Sequence, residues 1–245
     1  RGLESAANGM LSLIEQLDNI ANNLANVNTV GYKTSVNEFK SLLYQNLQTR
    51  TTSATGAPKP TGAQVGLGVR NASMVSLFKQ GPTLASDSDT AFAINGKGFF
   101  GVQGEDGQRY YTRNGNFLWA LGNNNTIMLT TSDGLPVLNT AGNPISFSQN
   151  RYVATNISVN ARGELCYPDE QNNPQPIGVS IGLFQFNNPG GLEKVDGTLY
   201  QASAASGAVM NEATNRGLER STVMQGYLEG SNVQVADEMV NMIVA

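Results

Sequence analysis

Leu3-Glu-Ser-Ala6-Ala-Asn-Gly-Met10-Leu-Ser-Leu13-Ile-Glu-Gln-Leu17-Asp-Asn-Ile20-Ala-Asn-Asn-Leu24-Ala-Asn-Val27 carries an apolar residue at every third or fourth position without a break. The spacing of Leu3, Ala6, Met10, Leu13, Leu17, Ile20, Leu24 and Val27 alternates three and four, the a/d stripe of a heptad helix. Between them stand Glu4, Ser5, Asn8, Glu15, Gln16, Asp18, Asn22 and Asn23, all polar. A stripe this narrow suits another helix better than a broad globular core. The pattern predicts a helix over 1–31, closed by Asn28-Thr-Val-Gly31 with Gly31 as its C-terminal glycine.

The far end of the chain reads the same way. Ser231-Asn-Val-Gln234 has the form of a capping box and predicts a helix over 233–245. Ala236, Met239, Val240 and Ile243 then form one apolar face. Two terminal helices around a different middle suggest that the ends pair, within a chain or between chains. The chain starts at Arg1 without Met, and Ala245 arrives without Gly, basic last turn or Pro stop. It therefore reads as continuing past both ends.

Between the helices the texture changes. Residues 32–50 keep Phe39, Leu42, Leu43 and Leu47 at loosely helical spacing, and a Ser/Thr/Pro/Gly stretch through Gly62 reads as an extended insertion at about 46–66. A structureless stretch of this length inside a compact chain is usually functional, and its prolines restrict φ, so it is expected to pack as a stiff strut. From about residue 64, turn signals recur at Asn95-Gly96, Asp106-Gly107, Asn114-Gly115, Asp133-Gly134 and Gly142-Asn-Pro144, the rhythm of short antiparallel strands. Asn114-Gly115 predicts a type I′ hairpin between Tyr110–Arg113 and Asn116–Trp119. The fold class is thus mainly β with terminal α-helices. The domains expected are an N-terminal helix (1–31), a connecting region (32–85), an all-β outer domain (86–222) and a C-terminal return (223–245) to a coiled-coil core.

Composition excludes much chemistry. The 245 residues are 40% apolar but only 14% charged, with 27 glycines and 28 asparagines. The net charge of −4 argues against nucleic-acid binding, which needs clustered Lys and Arg. No histidine occurs, which removes the Ser-His-Asp triad, Cys-His pairs and imidazole metal sites. Cys166 is the single cysteine, so no intrachain disulfide or thiolate cage can form, and it reads as a small half-buried residue. Gly96-Lys-Gly98-Phe-Phe-Gly101 matches a dinucleotide fingerprint, but a hairpin rather than a helix follows, so no phosphate cradle is expected. Asp87-Ser-Asp89 lacks the glycine and distal Glu of a calcium loop, and Glu105-Asp106 sits on a predicted hairpin tip. Asn71, Asn124 and Asn156 fall in glycosylation sequons that arise by chance in an Asn-rich chain. Catalytic, cofactor and metal residues are all expected to be none.

Ala21-Asn-Asn-Leu-Ala-Asn-Val-Asn-Thr-Val-Gly-Tyr-Lys33 resembles the N-terminal signature of the bacterial flagellar rod and hook axial proteins. Ala93-Ile-Asn-Gly-Lys-Gly-Phe-Phe100 and Tyr111-Thr-Arg-Asn-Gly-Asn-Phe117 resemble the family's β domain, and Gln225-Gly-Tyr-Leu-Glu-Gly-Ser-Asn-Val233 its C-terminal signature. Length and the middle region point to the distal rod type, with the β-domain-bearing proximal rod paralogue as the alternative. The resemblance implies a structural subunit exported through the flagellar type III channel without a cleaved signal. It implies a helical homopolymer in the periplasmic basal body that passes torque to the hook. Expected partners are further copies of itself, other rod proteins, hook-side axial proteins, and the P and L ring proteins, with no nucleic acid and no small-molecule substrate. The residues expected at the assembly interface are Leu3, Met10, Leu13, Leu17, Ile20, Leu24, Val27, Ala236, Met239 and Ile243. A β-rich exported binding module or adhesin, anchored by its helices, is the reading from a different class.

Overall fold

The computed structural model describes residues 2–48, 63–122, 125–215 and 217–245. The chain divides into two compact units: residues 1–25, 35–76 and 234–245 form the first, and residues 26–34 and 77–233 the second.

Unit 1 holds helix α1 (Gly2–Ala25), strands β1 (Ser35–Ser41), β2 (Tyr44–Gln48), β3 (Ala63–Gly66) and β4 (Val69–Ser76), and helix α2 (Val235–Val244). α1 is rich in Leu and Ala and has no proline, so it propagates until the Asn- and Thr-rich stretch that favours turns over helix. β1 pairs antiparallel with β4, and β2 with β3, as two ribbons. The helical reading of 32–50 is therefore corrected over its described residues, 32–48. The long-range ladder Val36↔Val75 to Glu38↔Ser73 wins over four loosely spaced apolar residues. Phe39 sits at a bulge in that ladder. Most of the insertion expected at about 46–66 lies outside the described residues, with β2 and β3 on its flanks.

The C-terminal helix is shorter than expected and uncapped by side chains. It starts at Val235 with Gln234 at its N-cap. Ser231 lies a turn too early to cap it, and its hydroxyl instead accepts the Val233 amide at 3.3 Å.

Unit 2 is all-β among its described residues apart from two 3-10 turns. Its first strands are β5 (Thr83–Ala85), β6 (Phe92–Asn95), β7 (Phe99–Gln103), β8 (Arg109–Thr112), β9 (Phe117–Gly122), β10 (Thr126–Thr131) and β11 (Ser146–Ser148). Then come β12 (Ser158–Val159), β13 (Glu164–Pro168), β14 (Pro174–Ser180), β15 (Leu183–Gln185), β16 (Glu193–Asp196), β17 (Leu199–Gln201), β18 (Met210–Asn211), β19 (Thr222–Gln225) and β20 (Tyr227–Glu229). The largest sheet runs β16-β17-β8-β7-β15-β18; β11-β10-β9 and β12-β13-β14 form smaller ones, and β19 and β20 pair with β6 and β5. Phe92, Phe100, Phe117, Leu129, Ile145 and Leu165 lead the core, and a second cluster stacks Tyr111 on Phe184 and Phe186 edge to face.

The hairpin expected at Asn114-Gly115 does not form. β8 lies between β7 and β17, β9 pairs with β10, and neither Asn114 nor Gly115 has a positive φ. Gly115 is instead a close-approach glycine: a Cβ there would stand 1.7 Å from the Phe92 carbonyl oxygen. Gly31 does adopt the left-handed φ of 72°, but beyond the end of α1 rather than as its immediate cap. Gly96-Lys-Gly98 leads into β7, not a helix, and the Gly98 amide donates to Ser221 Oγ at 2.9 Å.

Candidate assembly site

The two faces of α1 are used the wrong way round for an ordinary amphipathic helix. At about 100° per residue, Ser12, Asn19 and Asn23 lie roughly opposite Leu3, Met10 and Ile14. The polar side is the one unit 1 buries: Ser12, Asn19, Asn23 and the flanking Ile20 are its buried residues. The apolar side is bare, with Leu3 88%, Met10 60% and Ile14 53% exposed.

Asparagines make the seat. Asn23 brackets Ser35 of β1, donating from Nδ2 to its carbonyl at 2.9 Å and accepting its amide on Oδ1 at 3.0 Å. Asn19 donates to the same carbonyl at 2.9 Å and to Asn37 Oδ1 at 2.7 Å. Gly68, just ahead of β4, comes within van der Waals reach of the Ser5 backbone, a left-handed glycine with φ 111°. α2 repeats the inversion. Its buried residue is Glu238, whose Oε1 accepts from Asn23 Nδ2 at 3.1 Å, while Met239, Val240, Ile243 and Val244 are exposed. Burial pushes the Glu238 carboxyl above the ordinary glutamate range, and Asn23's donated hydrogen bond only partly offsets this.

Of the residues singled out from the sequence, Leu3, Met10 and Leu13 on α1 and Ala236, Met239 and Ile243 on α2 are exposed in unit 1. Leu17 and Leu24 are half-buried and Ile20 is buried. Val27 lies past the end of α1, in unit 2. Leu11 and Ile14, off the a/d stripe, widen the bare face. The asparagine seat escaped a reading that tracked only apolar spacing. Its signal was Asn19 and Asn23, four residues apart and so on one side of the helix.

Unit 2 holds a second polar centre. Lys33, Arg113 and Glu229 are all buried, and Glu229 Oε1 accepts Lys33 Nζ at 2.6 Å while Oε2 accepts Arg113 Nη1 at 3.1 Å. The Gly81 amide also donates to Glu229 at 3.0 Å, Lys33 Nζ reaches the Lys79 carbonyl at 2.8 Å, and Arg113 Nη2 the Gly96 carbonyl at 2.7 Å. Burial drives the Lys33 ammonium below its ordinary pKa and Glu229 opposes the shift. Two cations and one anion with these backbone partners form a buried clasp. Cys166 is buried, and burial raises its thiol pKa, as suits an inert core residue.

Three family models match the chain in separate stretches. Residues 3–33 match the flagella basal body rod protein model, 93–167 the flagellar hook protein FlgE/F/G D1 domain, and 224–245 the flagellar basal body rod FlgEFG protein C-terminal model. Lys33, Arg113 and Glu229 fall one in each. The flagellar basal-body rod protein FlgG of Borreliella burgdorferi is 37% identical over 248 residues, covering 100% of this chain and 89% of the relative. FlgG of Buchnera aphidicola subsp. Schizaphis graminum is 39% identical over 230 residues, covering 91% and 82%.

The chain belongs to the flagellar basal-body rod protein family.

FlgG of Bacillus subtilis is 34% identical across 100% of this chain and 89% of its own length. Membership in the rod family makes the chain a structural subunit of the flagellar basal body, not an enzyme. Rod-family proteins self-assemble and associate with other basal-body proteins, and the apolar helix faces described above are surfaces such association can bury.

Proposed function

We propose that this chain is the distal rod subunit, polymerising helically through the bare apolar faces of α1 and α2. The observation that carries the reading is that both terminal helices seat on their own unit by polar side chains and turn Leu, Ile, Met and Val away from it. A soluble protein rarely leaves so large a contiguous apolar surface exposed unless something covers it. Fully burying one such side chain is worth about 1.5–3 kcal/mol. The occupant is a second copy, because rod-family members self-assemble and a heterologous contact repeated from copy to copy builds a helical filament. In the assembled rod, α1 and α2 contribute a coiled-coil layer, and unit 2 supplies the body that meets neighbouring rod and hook-side subunits and the P and L rings. The rod so formed crosses the periplasm and passes torque to the hook.

Leu13→Asp tests this. Leu13 is 42% exposed, so the substitution leaves the fold intact. In the assembly it buries an unpaired carboxylate, at a cost of several kcal/mol. Electron microscopy of the concentrated wild-type chain should show straight tubes, and the variant should remain a folded monomer and leave cells non-motile. Tubes formed by Leu13→Asp at the wild-type concentration would refute the interface. A wild-type chain that stayed monomeric while binding a surface ligand would favour the adhesin reading instead.

A further inference from the structure

We infer that Asn19 and Asn23 are positioning residues for assembly: they lock the rotation of α1 about its own axis, so that the helix cannot bury its apolar face on its own ribbon. The inference rests on the proposed use of that face in polymerisation.

The ribbon beneath α1 gives the helix two choices. Hydrophobicity alone would turn Leu3, Met10, Leu13 and Ile14 inward, since burial of apolar surface is the dominant driving force. The ribbon has apolar surface to receive them: Met74 stands opposite Asn37 in the β1–β4 register, and directly opposed residues share a face. Met74 is nonetheless exposed. Observed instead is the polar side down, held by four hydrogen bonds from two side chains: Asn23 to both backbone groups of Ser35, and Asn19 to the Ser35 carbonyl and to Asn37. Asn23 treats Ser35 as a neighbouring strand would, satisfying a donor and an acceptor at one residue. A helix rotated by half a turn would leave the Ser35 amide and carbonyl without these partners and lift Asn23 from Glu238. Covering those groups with apolar side chains would leave them desolvated and unpaired, which opposes the rotation. The seat is not optimised for stability, since Asn37 Nδ2 is buried without a partner. A buried asparagine that gives up stability to fix one alignment is the device coiled coils use to set register. Here it sets the rotation of a helix on a ribbon. The asparagines of the N-terminal signature thereby acquire a physical role, which is to keep the assembly face outward while the subunit is alone.

The test replaces both asparagines by leucine, N19L with N23L, which removes the polar demand and gives the helix apolar residues on both sides. Two readouts are taken. The first is the rate at which a thiol at position 14 reacts with a maleimide, using Ile14→Cys in a Cys166→Ala background, with and without the leucine pair. The second is the concentration at which tubes form, measured without the reporter cysteine. The expected result is at least a tenfold slower labelling, as position 14 turns inward, together with at least a tenfold higher assembly concentration. Labelling at the parental rate, or faster labelling because α1 has simply come loose, would overturn the inference. Tubes at the wild-type concentration would overturn it as well. Leu13→Asp is run in parallel. Normal assembly there defeats the proposed interface, whereas the labelling rate still reports on the rotation of α1 by itself.

Discussion

Replacing Glu229 with Gln removes one charge from the buried clasp of unit 2 and changes almost no volume. Glu229 is fully buried and serves Lys33 at 2.6 Å, Arg113 at 3.1 Å and the Gly81 amide at 3.0 Å. The glutamine carbonyl can still accept one donor, but its amide points a donor at another. Two buried cations then face each other without an anion. Breaking a buried ion pair by removing one partner costs about 3–5 kcal/mol, and here two pairs share the lost carboxylate, so at least about 4 kcal/mol is expected. Ordinary domains hold only about 5–15 kcal/mol in total. In a unit of this size the midpoint should fall by roughly 8–16 °C. Trp119 is the single tryptophan and packs 6.2 Å from Phe147 in unit 2, so its fluorescence reports this unit alone during urea unfolding. Lys33→Met, Arg113→Met and Glu229→Leu combined should recover part of the loss, because an apolar cluster carries no unpaired charge. If Glu229→Gln lost less than about 1 kcal/mol, the view of the clasp as a mutually dependent ion cluster would be wrong.

Two further outcomes follow from the same geometry. Gly31→Ala forces a Cβ to 2.5 Å from the Asn114 backbone nitrogen at a φ of 72°, and should cost unit 2 more than the roughly 1–3 kcal/mol of left-handed strain alone, read by the Trp119 midpoint. Glu238 has its carboxyl pKa raised in the folded chain, so the native state binds more protons than the unfolded one between the ordinary glutamate pKa and the raised value. Stability of unit 1 should therefore fall as pH rises through that window, and Glu238→Gln should be more stable at neutral pH and flatten the slope, as followed by helical circular dichroism in urea.

The helices and the β middle were legible because each declares itself through a period: the three-four spacing from Leu3 to Leu24, and turn residues at short intervals after residue 64. What the stripe could not tell was which way it faced. An a/d pattern says that a surface wants burial, not whether the chain's own ribbon or another copy provides it; that choice was written in Asn19 and Asn23, which the pattern treats as filler. Phe39 misled because short apolar runs fit helix and strand alike and its partner, Asn71, stands on a distant strand, while Leu42 and Leu43 fall in the link between β1 and β2. Asn114-Gly115 misled for a different reason. Asn-Gly normally means positive φ, but here the glycine is present for lack of a side chain, to let Phe92 pass. Lys33, Arg113 and Glu229 lay in plain sight within the signature stretches, but a charged residue in isolation reads as surface, and only the three together are stable inside.

Lys33 and Glu229 meet across 196 residues of chain, and β19 and β20 close ladders begun by β6 and β5 near the start of the same unit. Such pairings demand that the loop entropy be spent before any contact rewards it. A chain delivered from its N-terminus holds two open strands and an unmatched lysine until residues 222–229 arrive. Unit 2 therefore cannot snap shut early. The ladders among β7, β8 and β15 can form ahead of the rest, but the final locking step is reserved for β19 and β20, and any chain stopped short of residue 222 stays open and easily unravelled.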